Sequence, residues 1–283
     1  MKKLLVIFAH PDDESFGPAA GTLAKYAAQG VRVHYICATR GEAGEYDPDI
    51  LGNHPDLAHA RTAELFEAAH TMGFAGVYFL GYLDSGMEGS PSNANPRSLY
   101  SAPLEEVAQR LATYIRCVNP DAIITHDEYG WYGHPDHIKC YQATLRAYEL
   151  LYDVKIGTEA LDEQASETQI PTLYAASFPK WPIKLAARFL SLTGRNPRKR
   201  GQNGDIDLVE IASWEVPTTT RIQVGDYLAI KQRAIACHRS QRPLTATGNP
   251  ISRAFLRRIE QQETLYKLYP LTSKRARLET RIF

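Results

Sequence analysis

The chain has 283 residues, 44% of them apolar and 23% charged, and its 32 Lys+Arg offset 32 Asp+Glu. Those proportions exclude wholesale disorder, and the balanced charge argues against a dedicated nucleic-acid binder. No apolar run approaches the ~18 residues that a membrane helix needs, while the length easily buries a core. The first predicted element, Lys3–Ala9, is too short for a helix and rich in Leu, Val and Ile, as a buried parallel strand is. Its opening resembles a signal peptide only briefly, because the apolar stretch runs straight into His10-Pro11-Asp12-Asp13-Glu14. Gly17–Gln29 has helical spacing and stops at Gly30, and Val31–Cys37 alternates as a strand. His59–Met72 is predicted helical, Gly76–Leu80 a strand, Leu104–Cys117 a helix, Asp121–Thr125 a strand and Pro135–Leu151 a helix. This alternation predicts an α/β, Rossmann-like fold, with a mostly parallel sheet and helices on both faces.

The second half is less regular. Gly157–Gln169 is polar and acidic and reads as a surface loop. Thr172–Ser177 and Leu208–Val216 are predicted strands, and Lys180–Leu192 and Gly225–Ser240 predicted helices. Trp181, Leu185, Phe189 and Leu192 recur at helical spacing beside Lys180, Lys184 and Arg188, and the basic loop Arg195–Gly201 follows. Such a stripe most often packs in a core or against another subunit; a substrate lid and a membrane surface are the other readings. A single domain over 1–283 fits best, with a catalytic core at 1–150, a C-terminal elaboration at 151–283, and a lid or interface segment at 178–205. The four scattered cysteines predict reduced, mostly buried thiols and a cytoplasmic protein.

Two polar loops carry the chemistry. His10-Pro11-Asp12-Asp13-Glu14 follows the first strand, and His134-Pro135-Asp136-His137 follows the strand at Asp121–Thr125. In an open parallel sheet both loops fall at the carboxyl edge, where ligands bind, so segments far apart in sequence can meet. His10, Asp13 and His137 offer two imidazoles and a carboxylate, the donor set of an open catalytic Zn2+ site. With no thiolate in the set, Fe2+, Mn2+ or Co2+ are possible substitutes. Asp12, turned the other way along the loop, suits a general base; His134 suits an acid toward a leaving amine. Asp136 between the two histidines is expected to fix the His134 tautomer and raise its pKa. Capping alone explains one aspartate of the first loop but not a second cluster with His at i and i+3. Paired aspartates holding Mg2+ are disfavoured by the two histidines.

With Thr39-Arg40-Gly41-Glu42-Ala43-Gly44, these loops resemble the LmbE-like, or PIG-L-type, family of metal-dependent N-deacetylases over about residues 3–150. The stretch Lys231–Gln241 extends the similarity toward the C-terminus. The resemblance implies zinc-dependent removal of acetyl groups from N-acetylglucosaminyl substrates, with His10, Asp13 and His137 as ligands and Asp12 as base. Leu80–Met87 is similar to the branch that makes or processes low-molecular-weight thiols such as mycothiol. That likeness carries a sugar-binding role to Asp84 and Arg61, and an oxyanion-stabilising hydroxyl to Tyr132. His238 is expected to be a satisfied buried histidine, and Cys140 a core side chain.

The expected function is therefore zinc-dependent hydrolysis of an amide C–N bond on a small amino sugar. The expected partners include no nucleic acid and no integral membrane segment; a homo-oligomer is possible. An amidase acting on thiol conjugates, and a non-catalytic metal-containing sugar-binding protein, are the alternatives.

Overall fold

The computed structural model describes residues 1–46, 48–156, 170–200, 204, 206–241, 259–271 and 277–283. The expected loop at Gly157–Gln169 lies outside the described residues.

In chain order the first part runs β1 (Lys3–Phe8), α1 (Asp13–Phe16), α2 (Ala20–Ala28), β2 (Arg32–Cys37), α3 (Leu57–Met72), β3 (Gly76–Phe79), α4 (Leu104–Val118), β4 (Ala122–Thr125), the one-turn α5 (Gly130–Gly133), α6 (Pro135–Tyr152) and β5 (Thr172–Ser177). The remainder is α7 (Lys180–Leu192), α8 (Leu208–Ser213), β6 (Thr220–Gln223), α9 (Leu228–Cys237) and β7 (Gln262–Tyr269). One sheet contains all seven strands in the order β3-β2-β1-β4-β5-β7-β6. The five from β3 to β5 are parallel, whereas β7 runs antiparallel to β5 and β6 antiparallel to β7.

Period-two alternation divides the core. Leu4, Val6 and Phe8 of β1 face α2, α3 and α9 through Leu23, Leu65 and Ala234. Leu5 and Ile7 face α4 and α6 through Leu111, Ile115, Cys140 and Ala147. Cys140 is thus a core side chain, as expected. The chain leaves β1 toward β2 on one side and receives β4 on the other, so the sheet order reverses between β1 and β4. That switch point leaves a crevice beyond the carboxyl ends of these two strands.

The main correction concerns Leu208–Val216. Its strand-like pattern begins as α8, because the Asp207 carboxylate accepts the N–H groups of Val209 and Glu210 at 2.8 and 3.0 Å. A helix N-cap there outweighs local β preference. Two strands were not foreseen, β6 and β7, and both join the sheet only through pairing with distant segments. Buried Glu263 of β7 accepts the N–H groups of Gly21 and Thr22 at 2.8 and 2.7 Å, supplying the N-terminus of α2 with the carboxylate its own flanking residues lack.

Candidate metal and active site

β1 delivers His10, Asp12 and Asp13 to the crevice, β4 with α6 delivers His134, Asp136 and His137, and the loop after β3 brings Asp84 and Ser85. His10 Nδ1 lies 3.1 Å from His137 Nε2, Asp13 Oδ1 lies 3.4 Å from His137 Nε2, and Asp13 Oδ2 lies 3.7 Å from His10 Nδ1. A tetrahedral ion with ligand bonds of ~2.0–2.1 Å separates its donors by roughly 3.3 Å, so the three converge at metal-binding distances. Further donor groups overlap this triad: His10 with His134 and His137, Asp13 with His126 and His137, and His10 with Asp84 and Asp136. Burial first, then the neighbouring imidazoles His126, His134 and His10, hold His137 well below its ordinary pKa, leaving a lone pair free for a cation.

The donors are held from behind. Asp13 Oδ2 accepts the N–H groups of Ala9 and His10 at 3.1 and 2.8 Å. His10 Nε2 faces Asp136 Oδ2 at 3.2 Å and Asp84 Oδ1 at 3.5 Å. Burial opposes charge on His10, but Asp84 and Asp136 outweigh it and raise its pKa, so an ion would have to displace the proton on Nδ1 while Nε2 keeps its own. The Ser85 hydroxyl and its N–H, the latter at 2.9 Å, donate to Asp136. Burial opposes charge on Asp84, but His10 beside it, with His134 and the Gly86 N–H, brings its carboxyl well below the usual range. Asp13 is pushed up to about 7, by burial first and against the pull of His10.

Asp12 and Asp13 diverge as expected. Asp12 sits at φ 123°, a region that side chains rarely adopt, and its carboxylate meets Arg61 Nη2 at 3.2 Å rather than joining the donors. Burial, which outweighs Arg61, His238 and His10, raises its pKa, as suits a base. Arg61 is almost fully buried and donates to the carbonyls of Gly41 at 3.0 Å and Pro11 at 2.6 Å. A Cβ on Gly41 would lie 2.2 Å from Arg61 Nη1, and one on Gly44 would lie 2.8 Å away. The glycines of Thr39–Gly44 therefore make room for this guanidinium.

His134 corrects one expectation. Its Nδ1 accepts the backbone N–H of Asp136 at 3.2 Å, capping α6, while the Asp136 carboxylate turns to Ser85 and His10. The tautomer is thus set through the backbone, and a neutral ring carries its proton on Nε2. Burial, then the charge of His10, pushes His134 down to about 3, the reverse of the expected rise. Tyr132 packs edge-on against His137 with centroids 5.2 Å apart, and its phenol is held protonated, first by burial and then by Asp13, Asp12 and Asp84. Trp131 at φ 64° turns the chain here, anchored by its indole N–H on the Ala176 carbonyl at 2.8 Å.

Sequence reasoning missed several supports. His126, given no role, stacks on His137 with centroids 4.0 Å apart and accepts the Ala9 N–H at 3.0 Å. Ser85 stood next to Asp84 in the motif, yet nothing in the pattern pointed to Asp136. His238 is buried, as expected, and its Nε2 meets Glu14 Oε1 at 2.6 Å, while Glu14 Oε2 accepts the Asp12 N–H at 3.0 Å. Ser240 donates its hydroxyl and its N–H to Glu64 at 2.6 and 2.8 Å. The segment after α9 thereby braces the loop that carries Asp12.

Fold and site together define a Rossmann-like α/β protein whose switch-point crevice holds a buried imidazole–carboxylate cluster able to take a metal ion. Residues 5–148 match the family model described as PIG-L, GlcNAc-PI de-N-acetylase. A 1D-myo-inositol 2-acetamido-2-deoxy-alpha-D-glucopyranoside deacetylase from Thermomonospora curvata is 36% identical over 261 residues, covering 87% of this chain and 83% of that protein. The chain belongs to the PIG-L family, and with that membership it is a hydrolase of the N-deacetylase class. The N,N'-diacetylchitobiose deacetylase of Pyrococcus horikoshii shares the fold at a TM-score of 0.57 and 23% identity, over 94% of this chain and 83% of that one. A 4-carboxy-2-hydroxymuconate hydratase from Pseudomonas putida also shares it, with a TM-score of 0.55 and 20% identity over 98% of this chain and 100% of that one. The fold alone therefore does not select the reaction.

Proposed function

We propose that this chain removes the acetyl group from an N-acetylglucosaminyl small molecule of the inositol-linked kind named for its relative, using Zn2+ held by His10, Asp13 and His137. The observation that carries this reading is the convergence of those three donors beside an aspartate, Asp12, whose carboxylate meets Arg61. Two imidazoles and one carboxylate suit zinc, with Fe2+, Mn2+ and Co2+ as compatible substitutes. A divalent ion at this position supplies Lewis-acid polarisation of the amide carbonyl and of the attacking water.

The side chains do the rest. Asp12 accepts the proton of the water that attacks the acetamide carbon, and Arg61 holds its carboxylate in place. When the C–N bond breaks, the proton held by Asp12 is the one available to the leaving nitrogen. Neutral His134 donates its Nε2 proton in a hydrogen bond at the reacting group, and protonated Tyr132 donates to the developing oxyanion, a role worth ~2.7–4 kcal/mol where one donor has been removed. Asp136 orients His10 through its carboxylate and His134 through its N–H. Arg61, whose buried Nε has no hydrogen-bond partner among the described residues, and Asp84 are the side chains assigned to sugar hydroxyls. The proposed compartment is the cytoplasm, in keeping with four unpaired cysteines, three of them buried. No helix among the described residues is long and apolar enough to cross a membrane.

The test is primary-amine release from a panel of N-acetylglucosaminyl compounds by zinc-loaded protein. Asp12→Ala should keep its zinc, measured by elemental analysis, and lose turnover by a factor of ~100 to 10,000 or more. Loss of zinc in that variant would put Asp12 among the ligands. No release from any compound with zinc bound would overturn the amino-sugar substrate.

A further inference from the structure

The outer face of α7 is the feature that the catalytic reading leaves unused. Trp181, Leu185, Phe189 and Leu192 are 52%, 53%, 63% and 78% exposed. Their spacing at i, i+4, i+8 and i+11 gathers them within ~80° of the helix circumference. Ala187, on the opposite side, is buried, and α7 packs on α8. Leu185, Phe189 and Leu192 therefore point away from the side of α7 that packs on the protein, and core packing does not account for them.

Its charge is equally one-sided. Between positions 180 and 204 the chain carries Lys180, Lys184, Arg188, Arg195, Arg198, Lys199 and Arg200 and no acidic residue, although the whole chain is neutral. Among the described residues, Lys180 Nζ lies 3.4 Å from the Trp131 carbonyl, and Arg198 pairs with Asp207 at 2.9 Å. Lys184, Arg188, Arg195, Lys199 and Arg200 are exposed. An apolar stripe bordered by cations fits the boundary between anionic headgroups and acyl chains, where the rings and aliphatic chains insert and the cations stay with the phosphates. A second copy of the same face fits poorly, because a two-fold contact would set this basic segment against itself.

We propose that α7 and the basic loop after it dock the protein on the surface of an anionic phospholipid bilayer. The docked face adjoins the site. Lys180, Trp181 and Lys184 line a cavity of about 1090 Å³ whose wall includes Trp214. Trp214 in turn stacks on Tyr129 of the site loop with centroids 5.2 Å apart.

The experiment is co-sedimentation of the full chain with phosphatidylglycerol-containing vesicles and with pure phosphatidylcholine vesicles. The paired variants are Phe189→Ser with Leu192→Ser, and Lys184→Glu with Arg188→Glu. Binding to the anionic vesicles should exceed binding to the neutral ones by at least ~10-fold and fall away in high salt. Each double variant should lose it by a similar factor, while circular dichroism and amine release from a soluble substrate stay unchanged. Equal binding to both vesicles, no binding to either, or binding retained in both double variants would overturn the proposal. So would self-association of the wild type in sedimentation equilibrium that the serine pair abolishes, since the stripe would then belong to a second copy.

Discussion

In the crevice beyond β1 and β4, His10, Asp13, Asp84, Asp136 and His137 are each at most 6% exposed, and every carboxylate among them is met by an N–H group, a hydroxyl or an imidazole. Along α7, four large apolar side chains are more than half exposed, and most of the cations beside them are exposed too. The first region places groups that water would stabilise where water is scarce; the second places groups that water disfavours where water is plentiful. Both arrangements cost stability, and both concentrate interaction capacity where something outside the chain can use it. They differ in dependence on the rest of the fold. The crevice is braced from both halves of the chain, so changing one brace should be felt globally, whereas α7 should change almost silently.

The largest expected effect on stability therefore lies at the brace. His238→Ala removes the imidazole that pairs with the fully buried Glu14 carboxylate and should destabilise the protein by ~3–5 kcal/mol in urea unfolding. A change under ~1 kcal/mol would mean that Glu14 finds another partner, and the contrast between the regions would weaken. Next comes Asp136→Asn, which takes the charge from behind His10. It should weaken zinc binding by ~10–100-fold in competition with a chelator and leave the fold intact, as loss of an outer-shell partner does.

These two residues also mark the limit of what the sequence tells. The strand and longer-helix periods were readable across most of β1 to β5, because β1, β2, β4 and β5 are largely buried and the longer helices present an apolar side. The short turns α1 and α5 carry no period, and edge strand β3 is only half-buried. The donors were readable because His-Pro-Asp-Asp and His-Pro-Asp-His stand after two strands of one parallel sheet. The partners were not. Glu14 with His238 spans 224 positions, Ser85 with Asp136 spans 51, and Gly21 with Glu263 spans 242. Such pairs obey no local period. β6 and β7 were missed for the same reason, since their pairing is decided at the far edge of the sheet. The direction of the His134 shift was missed because it depends on burial and on His10, and neighbouring Asp136 does not offset them.

The pH dependence of stability sharpens the contrast at smaller amplitude. Burial opposes charge on Glu14, but His238, by charge and hydrogen bond, and then Ser15 and the Asp12 N–H, hold its carboxyl below the ordinary range. Burial likewise opposes charge on His238, and Glu14 outweighs it, raising the imidazole. A lowered carboxyl contributes fully above its unfolded value of ~4.3, and the contribution is lost as pH falls through the folded value. A raised imidazole contributes fully below its unfolded value of ~6.5, and the contribution is lost as pH rises through its folded value. The pair should therefore stabilise most between about pH 4.5 and 6.5. The wild-type minus His238→Gln difference in unfolding free energy, measured at intervals from pH 4 to 9, should peak in that window. A difference that is flat with pH would mean that the two groups do not hold opposite charges.

The smallest effect belongs to α7. Leu192→Ser exchanges a side chain that is 78% exposed and touches little of the protein, so its stability change should stay within ~0.5 kcal/mol. That near-zero value is informative because leucine removed from a core costs ~2–5 kcal/mol. If Leu192→Ser cost as much as a core change at high protein concentration and nothing on dilution, the stripe would be covered by a second copy. If it cost as much at every concentration, the stripe would be covered by the chain itself. A value near zero throughout leaves the stripe bare in water, with its apolar surface available to an external partner.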